Sequence, residues 1–476
     1  MLKHTFTYFA ILILVIANSC KENSTNNDDP TAVIKDYSVT PHFLKNIMPG
    51  VSAYSLISSD DILPQSPQFV FGGSADGTGL LRNTDGTFTF LVNHEDNFSI
   101  SRITLDKTFK PVKGEYIINS DLGLYRLCSA TLATPSEHGF GPLFISCGES
   151  DYKSQALGVN PYAAPLTPPK YLVALGRWSF ENAVPLNKDA YPGKTVIIIG
   201  DDDSSPMGGG QIALYYSNTV GDLDNGKLYV LTRDDGDTTE TTMKEGMKYR
   251  VTFKQIQDQF APELNTQSIQ LGAVAFGRTE DLDYQKGSAT NNRNIYFTTT
   301  GQKGYPSRTK HGRVYRLTLD ANNPLKGELE CILDGDVRPG KADKFQDPDN
   351  ICVTTNYVYI QEDPNGYGDE THDSYIYQYN IATKELKVVC EINQRRGEAN
   401  PNNPGTFYDK PDSKLGTAEY GALIDISDII GIPDVFLLSV QPHGWRDVKY
   451  QNPDKGTLRP EEDQASQIVI LKGLPR

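Results

Sequence analysis

Short apolar runs recur along the chain and are separated by turns rich in Gly, Asp, Asn and Pro. Most of these runs span about four to eight residues and favour Val, Ile, Tyr and Phe, a pattern typical of β-strands. Residues 313–320 and 375–380 alternate apolar and polar side chains, as half-buried strands do. Further predicted strands are 87–92, 143–146, 171–175, 194–199, 210–216, 227–232, 294–299, 357–361, 386–390 and 435–440.

Alternating strands that repeatedly follow acidic loops favour an all-β fold, and among these a β-propeller. A β-sandwich and a β-helix are the alternatives, because the repeat is too degenerate for blades to be indexed. Helices are expected only over 243–259 and in part of 420–430. The Pro- and Asn-rich stretches 161–170 and 395–414 are predicted to be loop insertions over one face of the fold.

The N-terminus has the pattern of a targeting segment. Lys3 and His4 precede a short apolar stretch, which ends at Ala-Asn-Ser-Cys20. This ending resembles a bacterial lipoprotein processing site, in which the cysteine is lipidated; a plain signal peptide is the alternative. We therefore expect a signal segment over 1–20, a polar tether over 21–40 and a single propeller domain over 41–476. The expected location is outside the cytoplasm, on a membrane, through a lipid anchor at Cys20.

The chain of 476 residues carries a net charge of −15, with a pI near 5.0. An acidic protein of this kind is a poor partner for nucleic acid, which is bound through basic contacts to phosphate. Five cysteines follow Cys20, and none forms a Cys-x-x-Cys pair, so a structural zinc site is not expected. The sequence also lacks a Gly-x-Ser-x-Gly elbow, a His-Glu-x-x-His helix and a Walker loop.

Carboxylate-rich clusters stand beside many of the predicted strands. Calcium takes six to eight oxygen ligands, and no single loop of this chain supplies them. Acids gathered from several strand ends would do so, which predicts a metal centre at one end of the β-rich fold. The clusters are Asn93-His-Glu95, Glu181, Asp201-Asp-Asp203, Arg278-Thr-Glu-Asp281, Asp347-Pro-Asp-Asn350 and Glu362-Asp363.

In their order along the chain, from about Phe88 to about Trp445, these motifs resemble the PhoX-type alkaline phosphatases, a family of secreted bacterial enzymes. Each motif is weak alone, and their shared order makes the resemblance moderately specific. The matching segments are Leu91-Val-Asn-His-Glu95, Cys128 with Phe144-Ile-Ser-Cys-Gly-Glu149, Gly176-Arg-Trp-Ser-Phe-Glu181, Ile198-Ile-Gly-Asp-Asp202, Phe276-Gly-Arg-Thr-Glu-Asp281, Asp347-Pro-Asp-Asn350 and Val440-Gln-Pro-His443.

The resemblance implies a six-bladed propeller with calcium and iron at the centre of one face, hydrolysing small-molecule phosphate monoesters. Arg278 and Glu280 are the implied catalytic residues, since the Arg278 guanidinium suits bidentate binding of phosphate. We expect the protein to be a monomer. The implied metal ligands are Glu95, Cys128, Glu149, Glu181, Asp201, Asp202, Glu280, Asp349 and Asp363.

Several of these roles have structural alternatives. Cys128 is either a thiolate ligand of iron or a disulfide partner of Cys147. Arg278 and Glu280 could form a surface salt bridge on one side of a strand, and Asp201 could belong to a turn. His94 is either a ligand or a hydrogen-bonded structural histidine.

The chain departs from the family pattern at three places: Phe180 stands where the family has His, Thr279 replaces Pro, and the segment 129–136 differs. Two other functions are therefore considered: a non-catalytic surface propeller that binds a glycan or a protein, and a calcium-dependent esterase or lactonase. The phosphatase interpretation requires the acids, Cys128 and Arg278 to meet in one pocket at the propeller axis. A binding module predicts scattered acids.

Overall fold

The computed structural model describes residue 1, residues 31–205 and residues 208–476. The predicted signal segment beyond its first residue, the lipidation site at Cys20 and the first part of the tether lie outside the described residues. Within the ranges described, no helix has the length and apolar character needed to cross a membrane.

Antiparallel strands are the main regular secondary structure of the described chain. In chain order, they are β1 (Leu44–Lys45), β2 (Ser52–Ser58), β3 (Ala75–Arg82), β4 (Phe88–His94), β5 (Ser99–Leu105), β6 (Pro111–Ile118), β7 (Leu127–Ala133), β8 (Leu143–Gly148), β9 (Leu157–Val159), β10 (Lys170–Tyr171), β11 (Phe180–Pro185), β12 (Thr195–Asp201), β13 (Ile212–Ser217), β14 (Lys227–Arg233), β15 (Lys248–Gln255), β16 (Thr279–Tyr284), β17 (Asn294–Thr299), β18 (Arg313–Leu319), β19 (Lys326–Asp334), β20 (Pro348–Val353), β21 (Tyr357–Glu362), β22 (Tyr375–Asn380), β23 (Leu386–Ile392), β24 (Glu419–Asp425), β25 (Val435–Gln441) and β26 (Gln467–Lys472). The α-helices are α1 (Ser120–Gly123), α2 (Asn265–Leu271) and α3 (Ser427–Ile430). Short 3-10 turns cover Val173–Leu175, Glu240–Thr242, Asn291–Arg293 and Val448–Tyr450.

The strands form antiparallel meanders. Four separate sheets have the orders β3-β4-β5-β6, β10-β9-β8-β7, β1-β23-β22-β21-β20 and β2-β26-β25-β24. A fifth sheet of nine strands contains two meanders, β11 to β15 and β16 to β19, which are joined by pairing of β15 with β19. Strand β2 pairs with β26, so the first and last parts of the described chain complete one sheet.

The first strands of the meanders contact one another in a closed cycle, β3–β7–β11–β16–β20–β24–β3. Radial repetition of small antiparallel sheets around an axis is the architecture of a β-propeller. The prediction of an all-β, propeller-like fold is therefore confirmed. Blades cannot be counted directly as separate sheets, because the nine-stranded sheet is continuous.

The hydrophobic core lies between neighbouring sheets, where their apolar faces pack together. One cluster joins Phe90 and Ile103 to Leu437 and Ile470, and so ties the β3–β6 sheet to the β24–β26 sheet. Each of these side chains is fully or almost fully buried. Burial of one such side chain stabilises the fold by about 1.5–3 kcal/mol.

Each first strand contains a β-bulge near its start. The register shifts between Ala75 and Thr78 in β3, and the other five first strands shift at the corresponding place. A bulge leaves residues unpaired and turns their side chains away from the regular alternation. Because all six bulges lie at the same end of the ring, their side chains meet near the axis.

The helix expected over 243–259 is wrong. Strand β15 occupies most of this stretch, and its buried residues Val251 and Phe253 follow the two-residue period of a strand. The stretch 420–430 is largely strand β24, and only its end is helical, in α3.

Candidate active site

Five chemically active side chains occupy the same position in five different first strands. Each is the second residue of its strand and the first unpaired residue of its bulge. They are Asp76 in β3, Cys128 in β7, Glu181 in β11, Glu280 in β16 and Asp349 in β20. In β24, Gly421 takes the bulge position, and the carboxylate comes from Glu419, the first residue of the strand.

A second set of acids comes from the ends of the neighbouring strands. Glu95, Glu149, Asp202 and Asp363 each directly follow the last residue of β4, β8, β12 and β21 respectively. An antiparallel second strand ends where the first strand begins, so these four acids reach the same end of the ring as the bulges.

The two sets meet in one small, strongly polar cavity on the axis. Its lining contains nine carboxyl groups, one thiol and two guanidinium groups. The predicted residues in this lining are Glu95, Cys128, Glu149, Glu181, Asp202, Arg278, Glu280, Asp349 and Asp363. Convergence of the acids, Cys128 and Arg278 is the arrangement that the phosphatase interpretation requires.

Asp201, among the predicted ligands, lies elsewhere. Its carboxylate accepts hydrogen bonds from the backbone N–H of Ser179 (3.0 Å) and of Gln211 (3.3 Å), so it fixes the backbone beside the cavity and does not line it. His94 is also structural. Its ring bonds the Gly73 carbonyl (3.1 Å) and the Ser101 hydroxyl (2.8 Å), and burial lowers its pKa to about 4.

Burial of so many acids in one place raises their pKa values. Desolvation is the largest cause for each group, and repulsion from neighbouring carboxylates adds to it. The cavity acids with a raised pKa are Asp76, Glu95, Glu149, Glu181, Glu280, Asp349 and Glu419. The cluster must therefore either retain protons or be compensated by bound cations.

Among the residues that the structure describes, two groups of side chains have the spacing of metal sites. The ligand atoms of Asp76, Glu95 and Cys128 lie within 4.8 Å of one another, as do those of Glu181, Glu280 and Asp349. The second group offers only oxygen, the donor that calcium prefers. The first group adds a sulfur, which suits a transition metal. The buried Asp76 Oδ1 has no hydrogen-bond partner in the structure, as expected of an oxygen that faces a cation.

Cys128 and Cys147 are both free thiols, so the predicted disulfide alternative is wrong. The Cys128 thiol donates to Glu149 Oε2 (3.2 Å), and burial among carboxylates raises its pKa. Only a strong local positive charge would hold this sulfur as a thiolate. Cys147 packs in a separate hydrophobic cluster.

Arg278 is held in the cavity by acids on two sides. Its Nε and Nη2 donate to the two oxygens of Asp202 (2.8 and 2.7 Å), and Nη2 lies 3.1 Å from Glu280 Oε1. Nη1 donates to Asn365 Oδ1 (2.7 Å). Arg278 precedes β16 and has a left-handed backbone with φ of 60°. Its contact with Glu280 therefore arises from this turn and the following bulge, and not from the alternation of a regular strand.

Three further cavity residues were not predicted from the sequence: Asp76, Arg126 and Glu419. Gln441 also lines the cavity, and the sequence had marked it only as part of the motif Val440-Gln-Pro-His443. Arg126 lies 3.3 Å from Glu95 Oε1, and its side chain is 46% exposed at the edge of the cavity. Gln441 donates to Glu95 (3.2 Å). Asp76 shares with Glu181 and Glu280 the bulge position of a first strand, a signal that is visible only after the blades have been aligned.

Comparison with known families supports the assignment made from the motifs. A family model described as alkaline phosphatase PhoX matches residues 156–405, just over half of the chain. The chain belongs to the PhoX alkaline phosphatase family. The predicted resemblance is thereby confirmed, and the protein is a phosphatase-type hydrolase.

A solved structure shows the same fold. PhoX from Pseudomonas fluorescens, solved with the transition state analogue vanadate, is 13% identical with a TM-score of 0.62, covering 93% of this chain and 98% of its own. An aldose sugar dehydrogenase from Streptomyces coelicolor is 11% identical with a TM-score of 0.36, and the match covers 90% of this chain and 99% of the dehydrogenase. An α-L-arabinanase from Penicillium chrysogenum is 10% identical with a TM-score of 0.41, and the match covers 88% of this chain and 97% of the arabinanase. The last two likenesses are too distant to carry an argument. A comparison with curated proteins finds no match.

Proposed function

We propose that this protein hydrolyses phosphate monoesters in the axial cavity, with metal ions held by its carboxylates. Family membership supports a phosphatase. The observation that carries the proposal is the convergence of nine carboxyl groups, the Cys128 thiol and Arg278 in one cavity.

The cavity's charge explains why cations are needed. Nine carboxyl groups face only two guanidinium groups, and a phosphate monoester is itself an anion. Without compensation, the acids would repel the substrate. Bound cations would offset the negative charge of the cavity, hold phosphoryl oxygens and activate a nucleophile.

The donor sets suit two kinds of metal. Glu181, Glu280 and Asp349 would hold calcium, and Cys128 with Asp76 and Glu95 would hold iron. Glu149 belongs to neither of these two groups of ligands. Its carboxylate accepts a hydrogen bond from the Cys128 thiol, so it would orient the Cys128 side chain.

Arg278 is the residue of this chain that we assign to the phosphoryl group. Its side chain is 23% exposed, and Asp202 and Asn365 fix the orientation of its planar fork. A fixed guanidinium binds phosphate oxygens with little loss of side-chain entropy. Arg126, at the cavity edge, would attract the anionic substrate towards the opening.

We also propose that the nine-stranded sheet counts as two blades that share an outer pairing, which gives six blades around the axis. Each of its two meanders contributes one first strand, β11 or β16, to the closed cycle. The single domain over 41–476, the monomeric state, the export and the lipid anchor at Cys20 remain proposals from the sequence.

The proposed function is tested with a panel of chromogenic esters. Purified protein, loaded with calcium and iron, should hydrolyse p-nitrophenyl phosphate and leave p-nitrophenyl acetate and a γ-lactone intact. Turnover of the acetate or lactone without phosphate release would instead support the esterase or lactonase alternative. Metal-loaded protein that turns over none of them would support the non-catalytic propeller.

A further inference from the structure

A layer of polar side chains separates the candidate active-site cavity from a second cavity, which is lined by residues further along the same first strands. Ser129, Asn182, Asp281 and Asn350 are each the second unpaired residue of a first-strand bulge. Ser129, Asn182 and Asp281 line the second cavity, whereas Glu181 and Asn350 line the first. The floor of the candidate active site is therefore one side chain thick.

Within this floor, three residues form a directed chain of hydrogen bonds. Asn350 Nδ2 donates to Ser129 Oγ (2.8 Å), and Ser129 Oγ donates to Glu181 Oε1 (2.6 Å). The three residues are only 2%, 2% and 4% exposed, so water does not compete for these bonds. They come from strands β20, β7 and β11, so the chain links three different meanders.

The direction of the chain follows from the chemistry of its groups. A hydroxyl has a single hydrogen to donate, and the Asn350 amide occupies the oxygen as an acceptor. The Ser129 hydrogen is therefore committed to Glu181. This bond fixes one oxygen of the Glu181 carboxylate from below and sets the angle at which the carboxylate faces Glu280 and Asp349.

We propose that Ser129 and Asn350 are positioning residues that orient Glu181 for cation binding. The inference rests on the proposed function, because it takes Glu181 to be a metal ligand. Hydrogen bonds to a ligating carboxylate restrict its orientation, and loss of such a partner weakens metal binding by roughly 10–100-fold. The residues in the floor thus act on the metal without contacting it.

The test is the calcium affinity of the full-length protein, purified in its metal-loaded form and measured by competition with a chromogenic calcium chelator. Ser129→Ala removes the hydroxyl that donates to Glu181. Asn350→Asp removes the N–H that donates to the Ser129 oxygen and so leaves the Ser129 hydrogen for Glu181. Ser129→Thr restores a hydroxyl. Ser268→Ala is the matched control, because it deletes a buried hydroxyl of α2 that donates to the Leu264 carbonyl, and Ser268 does not line the cavity.

We expect Ser129→Ala and Asn350→Asp each to weaken calcium binding roughly 10–100-fold, with Ser129→Thr close to wild type and Ser268→Ala unchanged. Circular dichroism melting of all four variants identifies any loss of folding. Wild-type affinity in folded Ser129→Ala would overturn the inference and leave the proposed function intact. A wild type that binds no calcium would overturn both.

Discussion

The buried acids make a specific prediction about stability and pH in the absence of metal. Seven cavity carboxyls have pKa values raised by burial and mutual repulsion. In the unfolded chain, the same groups lose their protons near pH 4. Above that pH, the folded protein binds more protons than the unfolded chain does, so the free energy of unfolding must fall as pH rises.

The size of the effect follows from the number of retained protons. Each proton that the folded state holds and the unfolded state lacks lowers the free energy of unfolding by about 1.4 kcal/mol per pH unit. If only two of the seven carboxyls behave in this way, the loss between pH 5 and pH 7 is about 5 kcal/mol. Typical total stabilities are about 5–15 kcal/mol, so the metal-free protein should be severely destabilised at neutral pH.

Urea unfolding in excess chelator, followed by tryptophan fluorescence, measures this directly. Trp178 and Trp445 are both buried, so unfolding should shift their emission. The urea midpoint should fall steadily between pH 5 and pH 8. Calcium at about 100 times its dissociation constant should restore about 2.7 kcal/mol per site. A midpoint that rises with pH in chelator, or that calcium leaves unchanged, would refute the account of a repulsive acid cluster.

Three further predictions concern single residues. Arg278→Lys keeps the charge but loses the planar fork of the guanidinium, so kcat/KM for p-nitrophenyl phosphate should fall roughly 100-fold. The control is Arg316→Lys, which should retain activity because its partner Glu330 lies outside the cavity. Equal activity in both variants would argue against phosphate binding by Arg278. Cys128→Ser should lower the iron content about tenfold, measured by plasma mass spectrometry, with calcium largely retained; unchanged iron would exclude the thiolate. Asp76→Asn should lower phosphatase activity and yet raise the urea midpoint in chelator at pH 8, because it removes one buried charge; a lower midpoint would contradict the repulsion.

Much of the fold could be predicted from local pattern. Strand runs such as 313–320 were recognisable, because apolar side chains alternate and Gly, Asp and Asn bound them. The error at β15 has a physical cause. The ends of β15 carry exposed polar residues, and β15 pairs with β19 of the neighbouring meander. The local preference of this stretch is weak, so tertiary pairing decides that it forms a strand.

The candidate site divides in the same way. Acids directly after strands, such as Glu95 and Asp202, could be predicted because turn chemistry and strand ends are local features. Asp76 and Glu419 could not, since their place at the axis depends on bulges and on alignment of the blades. Asp201 and Asp202 are adjacent at the end of β12, where successive side chains point in opposite directions. Asp202 therefore accepts from the Arg278 guanidinium, while Asp201 accepts from the Ser179 backbone N–H.

The most direct test of the central claim is phosphate release by one preparation before chelation, after chelation and after metal is returned. The account predicts that p-nitrophenyl phosphate hydrolysis is lost when metal is removed and returns with calcium and iron in wild type. It predicts no return in a variant with Glu181→Gln, Glu280→Gln and Asp349→Asn combined. Hydrolysis that survives complete removal of metal, or that returns fully in this variant, would contradict a phosphatase centre built from these acids.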